Sequence, residues 1–277
     1  MGNTKNSNES INTESEMSFW EHLEELRWHL IRSVLVIIIL AIIAFFGKKF
    51  IFDEILYAPL NNDFLTYKGL CAIGKALNIN NLCLDNSKIQ LININMSGQF
   101  MTHLYVSFMA GLTIGFPYLL SEIWKFIKPA LNSKEKKNSN YAVFVCSFLF
   151  FLGVLFSYYV ITPLTINFLG NYQTSTMVNN TIHLKSYIST VVSLNFSVGL
   201  VFELPIIIYF LTKVGLITSG FLRKNRKYTF VVLLVLSAII TPPDIFSQIL
   251  VVIPLMLLYE LGINISKRIE KKEAALS

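Results

Sequence analysis

Glu203 lies in ISTVVSLNFSVGLVFELPIIIYFLT, well inside a long apolar run, where an ionisable group needs a reason to exist. A carboxylate at membrane depth costs several kcal/mol unless it is paired, protonated or wetted. Two roles are open to it. One is a carboxyl tied to Ser193, Asn195, Ser197 or Gln99; the other is an intramembrane polar patch that admits water or substrate. Two further acids occupy distinctive settings. Glu25 sits in SFWEHLEELRWHL, and Glu135 stands among lysines in FPYLLSEIWKFIKPALNSKEKK. Each can receive a cationic ligand, or can be a solvated or locally paired surface charge. His22, His29, His103 and His183 are scattered without metal-ligand spacing, and His103 reads as a hydrogen-bonded helix residue. There is no Gly-rich phosphate loop and no nucleophile–base set. Enzymatic chemistry, a metal and a cofactor therefore have no support in the sequence.

The elements that must position these acids are apolar. The chain has 277 residues, 53% hydrophobic and 14% charged, a balance that belongs to an integral membrane protein. Apolar runs fall at 29–47, 98–124, 141–165, 186–212, 228–240 and 245–263. Spanning a hydrocarbon core takes about 20 helical residues, so the first four runs qualify. The last two are short and are separated by Pro242-Pro243, which suits a short hairpin or a re-entrant pair. The expected fold is an all-α membrane protein of six helices, the last two short. Its expected parts are a disordered tail at 1–16, a transmembrane domain at 17–268 and a second tail at 269–277.

Basic residues give the orientation. The net charge of +6 gathers between the runs, at Lys125–Lys137, Lys213–Lys227 and Lys267–Lys272, with no basic stripe suited to nucleic acid. By the positive-inside rule both termini are cytoplasmic. The loop at 48–97 then lies outside; its lysines are offset by length and by Asp53, Glu54, Asp63 and Asp85. Cys71 and Cys83 both fall in this loop, where a disulfide or two separate thiols are possible, and Cys146 lies within a span. The loop is the candidate for a small ordered subdomain. No cleavable signal peptide is expected, because the first run is long and follows an acidic stretch.

Ser18 with Glu21 three residues later forms a capping box that starts a helix. Phe19, Leu23, Leu26 and Leu30 share one face, which predicts an interfacial helix turning into the first span. Trp124 and Phe126 read as interface anchors, and Asp244 in TPPDIFSQ as the cap of the sixth helix.

Taken together, HLEELRWHLI, the Ala58-Pro59 pair, FPYLLSEIWKFIKPAL with KEKK, VFELP and IITPPDIFSQ resemble the TatC family, the core subunit of the twin-arginine protein translocase. The resemblance covers about residues 18–268, with the motifs in order. It implies a concave, glove-like helical receptor in a bacterial cytoplasmic membrane, exporting folded proteins by the proton-motive force. The implied partners are the single-span subunits TatA and TatB, Arg-Arg signal peptides, the bilayer and further copies of the chain. It places signal-peptide binding on Glu25 and Glu135, with Arg27 and Phe126 beside them. Glu203 matches an intramembrane acid, Pro59 and Asp244 match other motif positions, and Thr241 and Gln248 fall where a partner helix docks. Two arginines present planar forks that carboxylates bind bidentately and lysine reproduces poorly. The departures are a lengthened first outer loop with its cysteine pair, and KEKK where an arginine pair is usual. A proton-coupled carrier using Glu203 is the alternative, though no internal repeat supports it. A membrane scaffold is the third reading.

Overall fold

The structure, a computed structural model, describes residues 19–78, 83, 89–127, 139–173, 175, 180–241 and 244–274. Ser18, Glu135 and Pro242-Pro243 lie outside the described residues. Five helical segments are long and apolar enough to cross a membrane: Glu24–Phe46, Gly98–Phe126, Ala142–Asn171, Leu184–Lys213 and Ile245–Lys272. Their outward surfaces carry large apolar side chains such as Ile39, Ile43, Phe46, Phe148 and Leu257, as a lipid-facing wall requires.

Helix α1, Phe19–Phe46, is continuous. No Gly or Pro interrupts it, so the helix expected at 18–30 runs on into the first span. Its inner stripe, Ser33, Ile37 and Ala44, is buried, and it packs on α3, Gly98–Ile127. The packing is close because Gly111 and Gly115 stand one turn apart on α3. A Cβ on Gly111 would lie 2.6 Å from Ala41 N and 2.8 Å from Ile37 O, both backbone atoms. The pair is thus a small-xxx-small contact, which lets two apolar helices gain dispersion energy where lipid gives no hydrophobic drive.

Between α1 and α3 the described residues form the small ordered subdomain expected of the 48–97 loop. A π-helical turn (Phe50–Leu56) and a 3₁₀ turn (Ala58–Leu60) lead to α2, Leu65–Ala76. Cys71 and Cys83 are joined by a disulfide. Strand β1, Gln90–Ile92, then pairs in parallel with β2, Thr181–His183, which precedes the fourth span. That pairing sets the 48–97 and 166–185 loops at one end of the bundle. Three phenols fasten the subdomain: Tyr158 donates to Ile55 O at 2.8 Å, Tyr187 to Leu56 O at 2.7 Å, and the Tyr67 hydroxyl lies 2.9 Å from Pro163 O. Pro163 has no N–H to offer the Tyr159 carbonyl four residues back, and the Thr66 hydroxyl donates to it instead. Removing one phenol tests this clasp. Tyr187→Phe leaves a buried carbonyl unpaired and is expected to lower stability by about 1–2 kcal/mol, seen as an earlier thermal transition in detergent.

The third span combines α4 (Ser139–Phe156), a π turn at Ser157–Ile161, and α5 (Thr162–Asn171). The fourth combines α6 (Leu184–Val201) and α7 (Leu204–Lys213) across a break at Phe202–Glu203. Pro205 explains that break, since it cannot donate to the carbonyl of Val201. After α8 (Ser219–Lys224), α9 (Arg226–Ile240) has only 15 residues. The last helix, α10 (Ile245–Ala274), has 30. The shortness expected of the last two helices therefore holds for α9 alone. The apolar run of the sixth helix ends near 263, but helix-forming charged residues carry it on through the segment expected as a tail. The main core lies where α6, α7, α9 and α10 meet, around Leu194, Val198, Val251 and Leu255.

Candidate functional site

At the end of the bundle opposite the β1–β2 pair, the N-terminal part of α1 meets the last turn of α3. Glu25 is half-buried there. Its Oε1 lies 3.8 Å from His29 Nε2, and its Oε2 is buried with no hydrogen-bond partner among the described residues. The other ring nitrogen of His29, Nδ1, is 2.5 Å from Oε2 of Glu122 on α3. Glu122 is only 2% exposed, and its Oε1 accepts from Lys125 Nζ at 2.6 Å. Beside this chain of charges, Glu25, Trp28, His29 and Arg32 line a cavity of about 430 Å³.

Arg27 is exposed, 3.8 Å from Glu24, with its guanidinium 5.6 Å from the Trp28 ring centroid. Phe126 is half-buried near the end of α3. Trp124 packs on Phe210 of α7, with ring centroids 4.5 Å apart. Glu135 lies outside the described residues.

Glu122 is the residue sequence reading passed over. It sits in the FPYLLSEIWKFIKPALNSKEKK stretch, of whose two acids only Glu135 was singled out, and with Lys125 three positions on it reads as an ordinary surface ion pair. Only the α1–α3 crossing brings in His29, 93 positions away. The GLTIG spacing of Gly111 and Gly115 was a legible signal for that crossing.

Glu203 occupies the α6–α7 break and is 8% exposed. Its expected hydrogen bonds are not those found. Asn195 Oδ1 accepts from Thr162 at 3.0 Å, and Ser193 bonds the Ser189 carbonyl. Gln99 lines a separate cavity of about 460 Å³ at the other end, with Lys48, Lys49 and His103. Helical rise is the reason: Asn195 lies eight residues, about 12 Å, along the span from Glu203. The neighbour of Glu203 is the Cys146 thiol of α4, itself beside Trp124. Glu203 Oε1 has no partner among the described residues. A buried acid left partly unsatisfied does not stabilise the fold. Glu203→Leu is therefore expected to hold or raise the thermal transition in detergent; a fall of several degrees would reveal a structural pairing.

At the other end, Asp244 Oδ1 accepts from Ser247 N at 2.7 Å, the expected cap of the last helix. Gln248 Nε2 donates to Leu234 O at 3.0 Å, and Ser237 donates to Gln248 O at 3.1 Å. Thr241 is buried and donates to Ser237 O. Short α9 is thus clasped to α10 by polar groups. Pro59 is buried, its carbonyl 3.0 Å from the Tyr67 hydroxyl. His103 is the hydrogen-bonded helix residue expected, its Nε2 3.0 Å from Phe45 O.

The chain is similar along most of its length to proteins of one family. The family profile described as "Sec-independent protein translocase protein (TatC)" matches residues 21–254. A protein of that name from Blattabacterium sp. subsp. Periplaneta americana (strain BPLAN) is 43% identical over 95% of this chain and 99% of its own length. The relative from Aquifex aeolicus (strain VF5) is 34% identical over 93% and 98%. Among solved structures, the crystal structure of the twin-arginine translocase receptor TatC aligns with a TM-score of 0.72 at 35% identity, covering 90% of this chain and 100% of that one. With the helical membrane architecture and the motifs in place, the chain belongs to the TatC family of Sec-independent protein translocase proteins.

Proposed function

We propose that the chain is the signal-peptide receptor of a twin-arginine translocase and takes part in proton-motive-force-driven export of folded proteins. The observation that carries this reading is the half-buried Glu25, whose Oε2 has no donor among the described residues, beside a cavity large enough for a guanidinium. An anion left without donors is costly, and an arginine supplies several in a planar fork. Glu25 and Glu135 are the two carboxylates for the arginine pair, with Arg27 and Phe126 at the same edge. Both termini and this edge face the cytoplasm of a bacterial cell, as the lysine-rich connections favour.

Glu203 is the polar spot at the break of the fourth span, where water, a partner helix or an inserting signal hairpin meets the wall. Thr241 and Gln248 mark the docking end for a single-span partner, TatA or TatB, and several copies of the chain share the complex. Membership of a translocase family sets the proton-carrier alternative aside.

Export in cells that depend on this chain tests the reading. A folded reporter with an Arg-Arg signal is expected to cross, to stop when the membrane potential is collapsed, and to stay inside when the pair is Lys-Lys. Equal export of the Lys-Lys reporter would overturn it.

A further inference from the structure

Glu122 needs counter-charge because it is almost wholly buried, and one cation would serve: Lys125, on its own helix, already reaches Oε1 at 2.6 Å. His29 is a second partner and comes from a different helix, at 2.5 Å. A carboxylate behind an imidazole fixes the orientation of the ring and of whatever the far nitrogen meets. Here the far nitrogen, Nε2, faces Glu25 Oε1 at 3.8 Å across the rim of the 430 Å³ cavity. The His29 side chain is only 12% exposed, so little else competes for it.

We propose that Glu122 and His29 are positioning residues for the arginine-binding carboxylate. Glu122 holds the His29 ring through Nδ1, and the ring's far nitrogen stands at ion-pair distance, 3.8 Å, from Glu25 Oε1 and biases how that carboxylate sits, so that Oε2 awaits donors from the ligand. The inference rests on the reading of Glu25 as an arginine ligand. Its consequence is specificity. A carboxylate kept in one orientation distinguishes a planar guanidinium fork from a compact ammonium, whereas one free to swing responds mainly to charge.

The test is the ratio of affinities for two synthetic signal peptides, one with Arg-Arg and one with Lys-Lys, measured by fluorescence anisotropy on the full chain in lipid nanodiscs. His29→Asn leaves Glu122 an amide partner near the Nδ1 position and removes the far nitrogen. Glu122→Gln releases the ring from behind. Both are expected to reduce the Arg-Arg preference about tenfold, the effect of one lost charge-assisted contact. A variant that merely folds poorly weakens both peptides in step and leaves the ratio unmoved. An unchanged ratio in His29→Asn or in Glu122→Gln, in whichever keeps the wild-type thermal transition, would overturn the inference. Glu25→Ala separates the two readings. If it loses the Arg-Arg peptide while His29→Asn keeps the wild-type ratio, only the positioning role fails; if it binds like wild type, the Glu25 reading fails as well.

Discussion

Gly111→Val is expected to remove most of the folded protein from the membrane. The Cβ of any other residue at this position would fall 2.6 Å from Ala41 N and 2.9 Å from Ala41 Cα, and these atoms belong to the helix backbone. No rotamer change in a neighbour relieves such a clash; α1 must move away from α3. Movement loses the close packing of the whole pair, including the crossing that sets His29 against Glu122. The cost is at the upper end of overpacking, about 3 kcal/mol or more, for a β-branched side chain. Gly115→Ala is a milder control. Its Cβ would meet side-chain carbons of Ile37 and Leu40 at 3.3 Å, and those can give way. Protease resistance and yield in detergent should therefore fall sharply for Gly111→Val and little for Gly115→Ala.

The double substitution Glu25→Ala with Glu135→Ala is expected to weaken binding of an Arg-Arg signal peptide at least about a hundredfold, with folding intact. Two charge-assisted contacts are lost, each of order 1.5–3 kcal/mol, and every 1.4 kcal/mol is tenfold in affinity. Folding is spared because Glu25 contributes no hydrogen bond to the described structure and is 37% exposed. Each single variant should lose part of the affinity, since one fork keeps its carboxylate. Isothermal titration in nanodiscs reads the difference, with the thermal transition checked alongside.

The membrane character, four of the spans and the ordered part of the 48–97 loop were legible because each rests on local pattern. Twenty apolar residues in a row, or lysines gathered between such runs, need no knowledge of the fold. The passage of the 18–30 helix into the first span was legible as well, since nothing in 19–46 breaks a helix. The sixth helix was underestimated. Apolarity ends near 263, but helicity does not, and Glu270 at its far part accepts from Ser219 N of α8. The β1–β2 pair joins segments 91 positions apart and is too short to announce itself.

The site divides in the same way. Glu25 could be found from its motif, and Glu203 from its improbable depth. Glu122 could not, because its burial and its histidine partner exist only once α1 and α3 cross. The neighbours proposed for Glu203 failed because shared membership of a span says nothing about height along it.

Photocrosslinking tests the central claim most directly. A signal peptide carrying a photoreactive residue beside its arginine pair is irradiated with the full chain in membranes, and the labelled segment is identified by mass spectrometry. The receptor reading predicts label in residues 25–32 of α1 and in the segment that carries Glu135, lost when both acids are replaced by alanine. Wild-type labelling of those segments in the double variant would contradict it.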